Sequence, residues 1–230
     1  MSSNILGNTA PELESVWPEL ISGRARIVNS GATQAHHYFQ VVMGGSQPPE
    51  RRPTANRLRI FERVLLGESQ KVVAMELGCA TSTVATAVGA CLRAMGVKGG
   101  SSRVPPLLVL ALHALRGRVD RVELRIERSR AAGGELQVVS SARLDLHLAD
   151  KLTGSELAVI GPLIEGHSHA EIARQRRTSI RTVANQIASA YKKLRVSGRM
   201  DLLCYLVTRL DTSAERRVAL LLTEASAAVN

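Results

Sequence analysis

Basic side chains are concentrated in one stretch of this sequence. Residues 174–195 contain seven of them and no acidic residue. Guanidinium and ammonium groups at this density bind polyanions, above all the phosphates of nucleic acids. The seven are Arg174, Arg176, Arg177, Arg181, Lys192, Lys193 and Arg195.

The composition of the whole chain favours the same class of partner. A formal net charge of +10 and a pI near 10.4 indicate either a nucleic acid or an anionic membrane surface. The most apolar stretch, residues 107–112, is too short to cross a bilayer, so we expect no membrane partner. Aromatic residues make up only 3% of the chain, which argues against base-stacking on single strands and favours duplex binding.

Residue patterns that would indicate catalysis or a metal site are missing from this sequence. We find no Ser/His/Asp or paired-carboxylate constellation, no Gly-rich phosphate loop and no C-x-x-C pair. His167 and His169 flank a helix start but have no third ligand nearby, so we predict no metal and no cofactor. The first basic residue is Arg24, which argues against a secretory signal. We therefore expect a cytoplasmic protein that is not an enzyme.

The sequence repeats itself at a shift of 99 residues. Residues 54–97 align with 153–196 without a gap, and the matches include Gly67 with Gly166 and Ser69 with Ser168. Upstream, two pairs of short β-branched runs echo each other with a register slip of two residues, which predicts a β-hairpin before each helical unit. Chance similarity of these short runs is the alternative.

Capping signals predict three helices in the second copy. Thr153 with Glu156, and Ser168 with Glu171, have the capping-box spacing, and Gly166 ends the first helix. In the third helix, apolar residues are spaced by 4, 4 and 3 positions, which predicts one buried face. They are Val183, Ile187, Tyr191 and Leu194.

The second copy resembles the LuxR/GerE-type helix-turn-helix over about residues 152–208. The resemblance rests on Leu152-Thr153, Gly166, Ile172-Ala173, Ser179, Thr182-Val183, Asn185, Lys193-Leu194, Val196 and Gly198-Arg199. Residues 54–115 resemble a diverged copy of the same unit. The resemblance implies four-helix domains, DNA reading by the third helix and dimerisation through the fourth.

The resemblance also implies which side chains contact DNA. Ala184 and Ala188 occupy recognition positions that often carry Lys or Arg in the family, so base reading would depend on Arg181, Asn185 and Gln186. Arg176 replaces a residue that is usually a buried Leu. The expected phosphate contacts are Arg174, Arg177, Thr182, Lys192, Lys193, Arg195, Arg199 and, in the first copy, Lys71.

These observations predict a mainly α fold with two tandem four-helix domains, each preceded by a β-hairpin. The function they favour is a bacterial transcriptional regulator that binds double-stranded DNA as a homodimer or as a pseudo-dimer within one chain. The alternative is a protein-interaction module with weak nucleic-acid binding, in which the first copy holds a protein partner. The expected layout is 1–53 (helix and hairpin), 54–118 (first unit), 119–151 (hairpin connector), 152–210 (second unit) and 211–230 (helical tail).

Overall fold

The computed structural model describes residues 10–44, 52–98, 103–119, 124–131, 134–142, 148 and 150–209. The expected helical tail at 211–230 lies outside these ranges. The elements are, in chain order, α1 (Ala10–Ile21), β1 (Ala25–Ala32), β2 (His36–Met43), α2 (Ala55–Leu65), α3 (Gln70–Glu76), α4 (Thr81–Ala94), α5 (Pro106–Leu115), β3 (Leu124–Ala131), β4 (Gly134–Ala142), α6 (Gly154–Ile164), α7 (His169–Gln175), α8 (Ile180–Leu194) and α9 (199–209).

Both expected hairpins are present, but they are not separate structures. β1 pairs with β2 and β3 pairs with β4, each antiparallel. β2 also pairs with β4, so the four strands form one antiparallel sheet in the order β1-β2-β4-β3. The sequence predicted a hairpin before each unit but not the pairing of the two hairpins. Pairing between the hairpins satisfies backbone groups that each would otherwise expose along an edge.

The two hairpins share one register over most of their length. Asn29 pairs with Gln40, and Arg128 pairs with Gln137 at the corresponding position of the second hairpin. This correspondence ends at Val28, where a bulge interrupts the β1 ladder and leaves the side chain 58% exposed. The bulge therefore distinguishes the two edge strands of an otherwise matched pair.

The two-residue slip noted in the sequence lies in the hairpin turns. Four residues separate the paired Ala32 and His37, whereas two residues separate the paired Ala131 and Gly134. The strands β2 and β4 consequently correspond at a shift of 97 residues, and the helices that follow return to 99. Since equivalent strands pair antiparallel at the centre of the sheet, the two hairpins are related by a local two-fold axis.

The helices of the two units match in position and length. α2 and α6 have 11 residues each, α3 and α7 have seven each, and α4 and α8 have 14 and 15. The expected caps at Thr153 and Ser168 are confirmed, each as a capping box. In the first unit, Thr54 caps α2 without a box, because Arg57 occupies the third position.

α5 lies in the centre of the core. It opens at Pro106, is apolar on all sides, and is buried from Pro106 to His113 against α1, α2 and β2. α1 contains Pro18 within its span. Among the described residues, no single helix has both the length and the apolar character of a membrane span. α3 and α4 have this length and apolar character only when taken together, and they are bent by 112° relative to each other.

Contacts near the fourth helices, α5 and α9, join the two units. In α9, the Cys204 thiol donates a hydrogen bond to the Leu65 carbonyl at the end of α2, at 3.2 Å. Before α5, the Arg103 guanidinium lies 3.2 Å from the Glu171 carboxylate of α7. Each unit thus places the region of its fourth helix against the other unit.

The first hairpin also holds the end of α4. The Ile27 N–H donates to the Met95 carbonyl at 2.8 Å, and a Cβ on Gly96 would lie 2.3 Å from the Ile27 carbonyl oxygen. Gly96 has φ +87°, a conformation that L residues adopt only with strain. Glycine is therefore required here for two reasons, its backbone conformation and its contact with β1.

Gly96→Ala should destabilise the protein more than the matched substitution Gly78→Ala. Gly78 has φ +60°, but a Cβ added there would meet no atom within 4 Å, so alanine costs only the left-handed strain, about 1–2 kcal/mol. Alanine at 96 adds a clash worth about 1–3 kcal/mol. Urea unfolding of both variants measures the difference. Equal free energies of unfolding would show that β1 does not constrain the end of α4.

Candidate nucleic-acid interface

α8 presents one face to the core and the opposite face to solvent. α8 begins after Ser179, whose hydroxyl accepts a hydrogen bond from the Thr182 N–H at 3.0 Å. The predicted stripe is confirmed at Val183, Ile187 and Leu194, which are buried, while Tyr191 is half-buried. Burial of this stripe against α6 and α7 fixes the rotation of α8 about its own axis.

The outward face of α8 carries the candidate contacts. Arg181, Asn185, Ala188 and Lys192 are all exposed and follow one another at spacings of 4, 3 and 4 residues, which places them on a single side of the helix. α8 contains no acidic residue. The face is therefore cationic at both ends, with one carboxamide and a small apolar residue between them.

Gln186 lies toward α6 and is held within the domain. Arg176 donates to the Gln186 Oε1 atom at 2.8 Å and to the Ser155 carbonyl at 3.3 Å. A bidentate contact with adenine needs both ends of the carboxamide, so this pairing leaves Gln186 with only its donor end. Arg176, at a position where the resembling family usually has Leu, therefore restricts Gln186.

Lys193 also has a partner inside the domain. Its ammonium group lies 2.8 Å from the Glu156 carboxylate, which accepts further hydrogen bonds from the Ser189 hydroxyl and the Thr153 N–H. The Glu156 side chain is only 6% exposed. These contacts, Lys193 first, lower the pKa of Glu156 to about 2. The structure therefore gives Lys193 a role in fastening α8 to the start of α6. Its side chain is 40% exposed, and its expected phosphate contact stays a prediction.

Arg199 is another expected phosphate contact that the structure places elsewhere. Its guanidinium donates to the carbonyl oxygens of Leu163, Ile164 and Val104 at 2.7–2.8 Å. Burial lowers its pKa to about 10. Arg199 satisfies carbonyls at the C-terminal end of α6 and links the second unit to the segment before α5. Neither the capping contacts nor the link across units could be read from local sequence.

Other cations and one hydroxyl from the expected set lie at the surface. Arg174, Arg177, Lys192 and Arg195 are exposed around α8, and Thr182 lies in its first turn with its hydroxyl 2.8 Å from that of Ser179. In the first unit, Lys71 is exposed on α3, the helix corresponding to α7.

Two of these arginines have strained backbone conformations. Arg177 has φ 51° and Arg195 has φ 57°, on either side of α8, whereas the corresponding residues of the first unit are Gly78 and Gly96. A left-handed L residue costs about 1–2 kcal/mol, and such strain is typical of functional positions. Sequence comparison between the units could have detected this exchange, but only the structure gives the left-handed φ values.

The corresponding face of α4 is less charged. Ser82 and Thr86 are exposed at the positions of Arg181 and Asn185, and Gly89 and Arg93 correspond to Ala188 and Lys192.

Among the described residues, no group of three or more His, Cys, Asp or Glu side chains is placed to hold a metal ion.

Glu156→Gln should flatten the acid limb of the stability curve. Because the pKa of Glu156 is lowered in the folded state, its stabilisation is complete above the unfolded value of 4.5 and is lost as the pH falls toward about 2. At pH 7 the substitution should cost about 1–3 kcal/mol, the value of hydrogen bonds to a buried charge.

Urea unfolding at several pH values tests this expectation. Glu127→Gln, which removes an exposed carboxylate on β3, is the matched control. An acid limb as steep in Glu156→Gln as in the wild-type chain would show that the Glu156 cluster does not stabilise the second unit.

Comparison with known families agrees with the geometry of the second unit. Residues 150–206 match the family described as bacterial regulatory proteins, luxR family (GerE). Searches of curated proteins and of solved structures find no match to this chain. Residues 150–206 are therefore a LuxR-type helix-turn-helix domain, which supports DNA binding and transcription regulation by this protein.

Proposed function

We propose that this chain is a transcriptional regulator that binds a specific sequence of double-stranded DNA, with α8 in the major groove and no catalytic role. The observation that carries the proposal is the outward face of α8, which combines Arg181 and Asn185 with exposed cations and no carboxylate. The LuxR-type domain at 150–206 supports the same function. An α-helix fits the major groove, where base edges differ in their hydrogen-bonding pattern.

Arg181 and Asn185 are the proposed base-reading residues. A guanidinium suits the O6 and N7 acceptors of guanine, and a carboxamide suits N6 and N7 of adenine, each contact discriminating by about 1–3 kcal/mol. Gln186 would supply a single donor, because its oxygen is occupied by Arg176. The proposed phosphate contacts are Arg174, Arg177, Thr182, Lys192 and Arg195.

We further propose that the first unit is a diverged helix-turn-helix and that the two units act as a pseudo-dimer within one chain. Matching helix lengths, the shared hairpin register and the central β2–β4 pairing support this proposal. If both third helices read one face of a duplex, their half-sites must lie about 34 Å apart. The hydroxyl-rich face of α4 favours weaker base reading by the first unit.

A specific observation favours a second candidate for the first unit, which is binding of a protein partner. Val72 and Met75 on α3 are 40% and 74% exposed, at positions where α7 has Glu171 and Arg174. Neighbouring exposed apolar side chains at a spacing of three residues are typical of helix surfaces that bind partners.

Selection from a random duplex library, followed by salt-titrated anisotropy on the recovered sequence, tests the proposed function. A recovered motif with a steep salt slope supports a specific regulator, and two half-sites in it support reading by both units. Salt-sensitive binding without a motif would contradict sequence reading, and no binding would favour the protein-partner role.

Asn185→Ala should reduce affinity for the recovered sequence by about 1–3 kcal/mol, because it removes one base contact. Affinity for random duplex and the salt slope should stay unchanged. Lys192→Ala is the comparison variant on the same face. It should weaken binding to the recovered sequence and to random duplex alike, and it should reduce the salt slope by about 1. Equal losses on both sequences from Asn185→Ala would contradict its base-reading role.

Arg177→Gly and Arg195→Gly should weaken DNA binding without destabilising the fold. Glycine relieves the left-handed strain but has a larger backbone entropy, so we expect a gain of up to about 1 kcal/mol in unfolding free energy. The salt slope of duplex binding should fall by about 1 for each variant. Arg174→Ala, at a helical position, should show the DNA effect alone; unchanged DNA affinity in the glycine variants would exclude both arginines from the interface.

A further inference from the structure

The first unit contains a cleft lined by Arg57, the residue at the sequence position of Glu156 in the second unit. The cleft has a volume of about 340 Å³ and lies between the beginnings of α2 and α4. It is lined by Thr54, Asn56, Arg57, Ile60, Ser82, Thr83, Thr86 and Ala87.

The charge at this place is reversed between the two units. Arg57 corresponds to Glu156, the carboxylate that accepts hydrogen bonds from Ser189 and Lys193. In the first unit these two donors are replaced by Ala90 and Ala94. The first unit therefore has a cation at the position where the second has an anion, and Ala90 and Ala94 do not themselves line the cleft.

A second pair of side chains is also missing from the first unit. Arg176 and Gln186, which bond to each other beside α6, correspond to Leu77 and Ala87. Ala87 lines the cleft, where the longer glutamine would extend over it. The replacement of both long polar side chains explains why an open volume is found in this unit.

The lining residues have the chemistry of an oxyanion site. Arg57 supplies a guanidinium, Asn56 a carboxamide, and Thr54, Ser82 and Thr83 supply hydroxyls, while no carboxylate lines the cleft. The Thr86 hydroxyl already donates to the Ser82 carbonyl at 2.8 Å. Charge-assisted hydrogen bonds of this kind bind carboxylates and phosphates. The first turns of α2 and α4 add the positive ends of two helix dipoles.

We propose that this cleft binds an oxyanion beside Arg57, the residue that corresponds to Glu156 of the second unit. A volume near the lower limit for ligand pockets suits the carboxylate or phosphate ester of a small metabolite. A backbone phosphate of duplex DNA carries the same chemistry and is the other source. Because the proposal concerns Arg57 and not α8, it does not depend on base reading by the second unit.

Titration of the full-length chain with inorganic phosphate, followed by amide NMR, tests the proposal. We expect saturable shifts at the Asn56, Thr83 and Thr86 amides at constant ionic strength. Arg57→Ala should reduce the affinity for phosphate by about tenfold or more, since it removes a hydrogen-bonded charge. Arg59→Ala, on α2 but outside the cleft lining, should leave the affinity unchanged.

The proposal is overturned if phosphate causes no saturable shift, or if Arg57→Ala and Arg59→Ala lose affinity equally. Amide spectra of the two variants confirm that each remains folded. A competition with duplex DNA then identifies the source of the oxyanion. Displacement of bound phosphate by duplex DNA from the wild-type chain, but not from Arg57→Ala, supports a DNA phosphate as the source. Simultaneous binding of phosphate and duplex DNA supports a free small anion. Failure of α8 to select a DNA motif would leave either result intact.

Discussion

Backbone hydrogen bonds between β2 and β4 join two hairpins that are distant in the chain, and the arrangement of both units depends on this pairing. A lone two-stranded hairpin is marginal in water, whereas a four-stranded sheet with one buried face is stable. Phe39 and Val139 pair at the centre of that buried face. Because the paired strands are equivalent, the pairing relates the two hairpins by a local two-fold axis. The contacts of α9 with α2 and of Arg103 with α7 join the helices of the two units.

Within this shared scaffold the two units differ in their polar residues and agree at positions in the core. Val84 and Val183 occupy the same position of the third helix and both are fully buried. By contrast, a glutamate in one unit is an arginine in the other at 156 and 57, and Arg195 corresponds to Gly96. Core positions tolerate little change because packing is dense, whereas polar positions can acquire a different chemistry on the same backbone.

Local signals predicted the helices well. The caps at Thr153 and Ser168 and the buried stripe of α8 depend on residues within a turn or two of one another. The union of the hairpins was not predicted, because strand pairing across a long separation leaves no local pattern. The internal contacts of Arg199 and Lys193 were not predicted for the same reason, since their partners Val104 and Glu156 lie far away in sequence.

The internal partners of α8 also bear on how it would discriminate among DNA sequences. Arg176 and Glu156 hold the flank of the helix that faces α6, so Gln186 and Lys193 are not free to adapt to a base edge. Ala188 occupies the middle of the exposed face and contributes no hydrogen bond. Under the proposed function, base reading depends on Arg181 and Asn185, while most of the exposed charge would meet phosphates. Such a surface would bind duplex mainly through electrostatics, and a second set of contacts would raise its specificity.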